Sequence, residues 1–191
     1  MTKTVIDAVP RTAFCNWVRT GEGRTRIDRA LRYSAGQSTN RGFMGNIVIL
    51  TGAGISAESG LGTFRDKGGI WSRFNPSELA SPRAFAKDPA RVHEFYNLRR
   101  ANCVEAAPNA AHFALAKLER EYSGKVLVVT QNVDDLHQRA GSVNVLQMHG
   151  ALLRAKCAKC GSKWQAALVM SEDDHCPTCA AHPCCSRPRP S

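Results

Sequence analysis

Residues 52–65, GAGISAESGLGTFR, put glycines directly behind a short apolar run, an arrangement that lets a phosphate approach backbone N–H groups at a helix start. Gly52 and Gly54 allow the sharp turn, and a third glycine stands at Gly60. The spacing departs from G-x-G-x-x-G and no P-loop lysine follows, so the glycines alone define only a dinucleotide-type loop. A polar cluster, Gln131-Asn132-Val133-Asp134, ends a second apolar run, and His149-Gly150 ends a third. Imidazole, with an ordinary pKa of ~6.5, is the side chain suited to general-base work near neutrality, and Gly150 leaves room beside it. Cys157-x-x-Cys160 and Cys176-x-x-Cys179, with fifteen residues between the pairs, have the spacing of a tetrahedral zinc ribbon. Four protein ligands leave no open position for a catalytic water, so such a zinc is structural. Lys156 and Lys159 favour the ionised thiolates, while Cys184, Cys185, His175 and His182 crowd the second pair as competing ligands. Redox-active disulfides are the competing reading, which a matched double pair disfavours.

These groups need a frame. Residues 46–50, NIVIL, and Val126–Thr130 are continuous apolar runs of the type buried in a parallel sheet, and residues 143–148 repeat the pattern. An open α/β sheet binds ligands at the carboxyl ends of its strands, where the glycine loop, Gln131–Asp134 and His149 all fall. Residues 77–106 read as helix-rich, with Pro82 and Pro89 as natural boundaries. Tyr96 and Arg99, three apart, share a helix face and can grip a carboxylate together. A helix is expected over residues 135–139, capped by Asp134 or Asp135. His112 and His137 read as structural and His93 as a surface residue.

Taken in order, GAGIS with a downstream TFR, TQNVDDLHQRAG over residues 130–141, HG at His149 and the two cysteine pairs resemble the sirtuin family of NAD-dependent protein-lysine deacylases. The resemblance runs over residues 45–179. It implies a Rossmann-like parallel sheet with a helical insertion and a small zinc-ribbon module, with NAD and zinc as cofactors. In that chemistry the acyl-lysine carbonyl oxygen attacks the anomeric carbon of the nicotinamide ribose, nicotinamide leaves, and the acyl group ends on ADP-ribose. By resemblance His149 is the general base on a ribose hydroxyl. Gly52, Ala53, Gly54, Ile55, Ser56, Gln131, Asn132 and Asp134 contact NAD. Phe64 shields the reactive ribose and Arg65 holds the loop, with Gly62 standing where many sirtuins have proline. Tyr96-x-x-Arg99 looks like the pair with which class III sirtuins recognise succinyl, malonyl and glutaryl lysine. With Ala53 and Ala57, it implies a desuccinylase that retains deacetylase activity, with acylated lysines of proteins as substrates.

Composition sets the surroundings. The chain has 191 residues, 43% of them hydrophobic, enough to fill a core, and no run approaches the ~18 apolar residues of a membrane helix. Paired metal-type cysteines and the lack of an apolar signal core favour a reducing cytoplasmic setting. Half of the +10 charge lies in residues 1–45, where eight basic residues face three acidic ones. This arm is expected to be mostly disordered; an organelle transit peptide, a basic arm for nucleic acid, or a working start at Met44 are the other readings. The expected organisation is the arm (1–45), an NAD-binding domain with helical insertion (46–152), a zinc ribbon (153–180) and an irregular tail (181–191). Sirtuins continue from the ribbon back into the sheet, so the Pro/Arg/Cys-rich tail reads as a premature stop or shifted frame. The alternatives to deacylation are therefore a catalytically impaired sirtuin fragment or a basic, zinc-containing nucleic-acid-binding module, with nucleic acid the less expected partner. Oligomeric state is not legible.

Overall fold

β-branched and aliphatic residues make two central strands in the computed structural model, which describes residues 3–6, 25–26, 29, 45–62, 79, 82–157 and 159–181. In chain order the elements are β1 (Lys3–Ile6), β2 (Ile47–Thr51), α1 (Ala53–Ala57), α2 (Pro82–Lys87), α3 (Pro89–Glu105), α4 (Ala110–Glu121), β3 (Val126–Thr130), α5 (Leu136–Arg139), β4 (Val145–Gln147), β5 (Arg154–Lys156) and β6 (Lys163–Gln165). A four-stranded sheet runs β1-β2-β3-β4 with every pairing parallel, and β5 and β6 form a separate antiparallel pair. In the central pairing Ile47 lies opposite Val126 and Thr51 opposite Thr130. All five residues of β3 are buried and only Ile47 of β2 is partly exposed, which is why both strands lack an apolar/polar alternation.

The structure divides into two compact units. The first comprises Met1–Glu58, Pro108–Asn132 and Leu136–Met148. Its core is Val48, Leu50, Leu127, Val129 and Met148, each side chain contributing about 1.5–3 kcal/mol when fully buried. Helix α4 starts on a capping box in which the Asn109 side chain accepts from His112 N–H while the Asn109 N–H donates to His112 Nδ1. Glu119, near its other end, accepts from the N–H groups of Val143 and Asn144 and so fixes the approach to β4.

Strand β1 is a finding the sequence did not suggest, since it lies in the arm for which composition predicts no regular element. Lys3 to Ile6 pair in register with Ile47 to Leu50, and this supplies partners to backbone groups that β2 would otherwise expose as an edge. Most of the arm lies outside the described residues.

The second unit comprises Ser59–Ala107, Val133–Asp135 and His149–Ser191. In this division the helical segment groups with the ribbon. Leu152 packs into a core with Leu79, Val92, Phe95, Tyr96 and Cys103, and polar side chains of α3 bond the ribbon backbone. Pro82 and Pro89 open α2 and α3 as their fixed φ predicts, and Asp88 caps α3 by accepting from Arg91 N–H at 3.0 Å. Among the described residues no helix is long and apolar enough to cross a membrane.

Candidate functional site

The glycine turn of the first unit is held by amides. Gly52 is extended (φ −147°) and begins α1 without a side-chain cap. Asn132 Nδ2 donates to Gly52 O at 3.1 Å and to Ser56 Oγ at 3.0 Å, so both of its hydrogens are committed to the loop. Asn109 Nδ2 donates to Ile55 O at 2.7 Å from the start of α4, and the Gln131 N–H continues the ladder to Thr51 O at 3.0 Å. Gln131 Nε2, in contrast, is buried with no hydrogen-bond partner among the described residues. Of the two neighbouring amides, Asn132 therefore commits its donors to the loop and Gln131 does not. Asn109 was not anticipated at this site; its only signal in the sequence is the Asn-x-x-His cap pattern.

Beneath the turn, Thr51 Oγ1 lies 3.0 Å from His137 Nε2, and His112 meets the His137 ring edge-on at 4.9 Å between centroids. Both histidines are buried, which agrees with their reading as structural. Burial, followed by the nearby His112, pulls the His137 pKa down to about 4 from its ordinary 6.5. Between those values the unfolded chain binds a proton that the folded chain refuses, so stability falls as pH falls from 6.5 towards 4. The expected loss is on the order of 3 kcal/mol across the window. Urea midpoints for wild type and His137→Gln at about pH 7 and about pH 5 check it; an equal pH dependence in both proteins would exclude His137 as the cause.

In the second unit Tyr96 and Arg99 occupy one face of α3 as expected. Tyr96 is only 3% exposed, packed edge-on to Phe95, and the half-buried Arg99 guanidinium sits 5.5 Å from the Phe95 ring centroid. Desolvation lowers the Arg99 pKa, while Tyr96, Cys103 and Asp134 act to raise it; a guanidinium nevertheless stays charged at neutral pH. Asp134 is buried in the same unit. His149 is exposed, and Gly150 behind it is buried with φ +84°, a conformation in which a Cβ is strained. Phe64 and Arg65 lie outside the described residues. His93 corrects the expectation of a surface position: it is 1% exposed against Phe85, because α3 turns the stripe of His93, Asn97 and Arg100 inward. Gly52, Ala53, Gly54, Ile55, Ser56, Gln131 and Asn132 belong to the first unit, and Tyr96, Arg99, Asp134, His149 and the cysteines to the second.

The four cysteines of the ribbon converge, with all sulfurs of Cys157, Cys160, Cys176 and Cys179 within 4.8 Å of one another. Two of the separations, Cys157 to Cys179 and Cys160 to Cys176, are 3.7 Å. A tetrahedron of sulfurs about 2.3 Å from a zinc ion has edges of about 3.8 Å, so the set fits that metal. The N–H groups of Cys160 and Lys159 point at Cys157 Sγ at 3.4 Å, which pulls that thiol down to about 6; the N–H groups of Cys179 and Thr178 lower Cys176, while at Cys160 desolvation and the neighbouring sulfurs outweigh the Ser162 backbone bond and push the thiol up to about 12. Backbone donors thus favour the thiolate form at Cys157 and Cys176.

Residues 52–190 match the Sir2 family. The chain is 50% identical over 143 residues to an NAD-dependent protein deacylase of Caulobacter vibrioides, covering 73% of this chain and 60% of that protein. It is 56% identical over 139 residues to the NAD-dependent protein deacylase SIR2rp3 of Leishmania major, covering 70% and 57%. Among solved structures it resembles an ADP-ribose complex of a Sir2 homologue variant (TM-score 0.66, 44% identity, 76% of this chain and 57% of that one). It also resembles a Sir2 homologue bound to NAD (0.64, 44%, 75% and 55%) and Sir2Tm bound to a propionylated peptide (0.55, 33%, 75% and 56%). The chain, an α/β fold with a four-cysteine cluster, belongs to the Sir2 family. It spans about 60% of the length of the curated relatives named here.

Proposed function

We propose that this protein is an NAD-dependent protein-lysine deacylase, acting on acetyl and succinyl groups in the cytoplasm. The observation that carries the reading is the Sir2 family match over residues 52–190, which contains the braced Gly52–Ser56 turn, Gln131 with its buried unpaired donor, and the exposed His149. NAD, when bound, supplies the nicotinamide leaving group and the ribose that receives the acyl group. The turn and Gln131 bind the dinucleotide, Asn132 and Asn109 keep the turn in place, and His149 takes a proton from a ribose hydroxyl. The zinc ribbon is structural. The test is nicotinamide release from NAD by the zinc-loaded chain with and without an acyl-lysine peptide. Release that requires the peptide supports deacylation; a chain that binds NAD yet releases nothing with acetyl, propionyl or succinyl peptides would overturn it.

Arg99 and Tyr96 carry the finer reading, that acidic acyl groups are accepted. A carboxylate held by a charged donor is worth about 1.5–3 kcal/mol, so Tyr96→Phe with Arg99→Met should lower succinyl-lysine turnover about 10- to 100-fold relative to acetyl-lysine turnover. Equal losses on both peptides would remove the clamp from the account.

A further inference from the structure

The stripe of α3 that faces the ribbon carries polar groups with unusual commitments. Asn97 Nδ2 donates to Met170 O at 2.9 Å and Asn97 Oδ1 accepts from Met170 N–H at 3.0 Å, so one side chain occupies both hydrogen-bonding groups of a backbone residue 73 positions away. Arg100 is fully buried; its Nε donates to Leu168 O at 3.1 Å and a terminal nitrogen donates to Asn97 Oδ1. Nη1 of Arg100 has no partner among the described residues, and the neighbouring Asp174 provides an opposing charge. A guanidinium buried with one nitrogen unsatisfied is costly, and an apolar residue of similar volume would fill the space at less expense. What the polar arrangement adds is direction. The adjoining seam of Val92, Phe95, Tyr96 and Cys103 packs by apolar contact, which is non-directional and tolerates small rotations of a helix. The bonds to Leu168 and Met170 do not.

We propose that Asn97 and Arg100 are positioning residues for acyl selection: by tying α3 to the ribbon backbone at Leu168 and Met170, they set the rotation at which Tyr96 and Arg99 present their carboxylate-binding face. The inference rests on the reading of Tyr96 and Arg99 as an acyl clamp. Its physical basis is that neighbouring residues of a helix are about 100° apart on a rigid rod, so a rotation released at residues 97 and 100 is transmitted undiminished to residues 96 and 99. Gripping a carboxylate through a planar fork needs placement within about 0.5 Å, whereas a methyl group asks for little. Loosening the latch therefore penalises acidic acyl groups selectively.

Dissociation constants of a succinyl-lysine and an acetyl-lysine peptide of one sequence, measured on the zinc-loaded 191-residue chain with NAD, provide the test. Arg99→Met should reduce the succinyl-over-acetyl preference about tenfold. Asn97→Leu, similar in size but unable to bond Met170, should reduce the same preference about three- to tenfold with acetyl-peptide binding little changed. Asn97→Asp keeps the acceptor used by Met170 N–H and Arg100 but sets a carboxylate oxygen against Met170 O, and should retain only part of the preference. If Asn97→Leu does not fold, Arg100→Lys takes its place, since it keeps the charge and loses the Nε bond to Leu168. An effect of Arg99→Met without any effect of the latch variants, or latch variants that weaken both peptides equally, would overturn the positioning role. No change in Arg99→Met would instead overturn the clamp reading, and the inference with it.

Discussion

His149→Ala is expected to lower acyl-peptide-dependent nicotinamide release by about 10²- to 10⁴-fold, the range attributable to one general base. The proposed chemistry needs a group that is unprotonated near neutrality yet basic enough to accept a hydroxyl proton, and imidazole meets both conditions. His149 is exposed and follows the buried Met148, so truncating it removes little packing; exposed substitutions of this kind usually change stability by less than about 0.5 kcal/mol. Loss of turnover in a variant with unchanged zinc content and unchanged unfolding midpoint therefore reports chemistry rather than folding. The measurement is single-turnover nicotinamide release for both proteins. A variant that retains a rate within a few-fold of wild type would transfer the base role to another group.

Removing zinc is expected to unfold the ribbon. Strands β5 and β6 contain three residues each, and the only apolar support among the described residues is Ala155, Ala166 and Met170 with Trp164 and the cysteines themselves. A two-stranded pair of this size is marginal in water, whereas structural zinc contributes an apparent ~10–16 kcal/mol in isolated ribbons and fingers near neutral pH. Chelation, or Cys157→Ser, should abolish amide protection in β5 and β6 and shift Trp164 emission to that of a solvated indole. Because Asn97 and Arg100 bond the backbone at Met170 and Leu168, exchange in α3 should rise as well. Hydrogen exchange and tryptophan fluorescence of the metal-loaded and metal-stripped chain check this. Unaltered protection in β5 and β6 after complete zinc removal would mean that packing alone holds the ribbon.

Several features were legible because their causes are local. The apolar runs of β2 and β3 announce buried parallel strands without any partner in view, and Pro82 and Pro89 mark helix starts through their own fixed φ. The cysteine pairs declare a ligand set because each C-x-x-C places two sulfurs on one turn. His93 misled the reading because the sequence of α3 distributes apolar and polar residues around the helix with little contrast, so only the packed neighbours decide which face is covered.

Residue types and spacing thus determined the fold class, the family, the zinc ligands, and the segments carrying Gly52, Gln131, Tyr96, Arg99 and His149. Tertiary structure alone decided which polar groups brace them. Asn109 reaches Ile55 across 54 residues, Asn97 reaches Met170 across 73 and Thr51 meets His137 across 86. Such bonds join one side chain to a distant backbone or ring atom, leave no periodicity in the chain, and exist only once packing has fixed both partners to within a few tenths of an ångström.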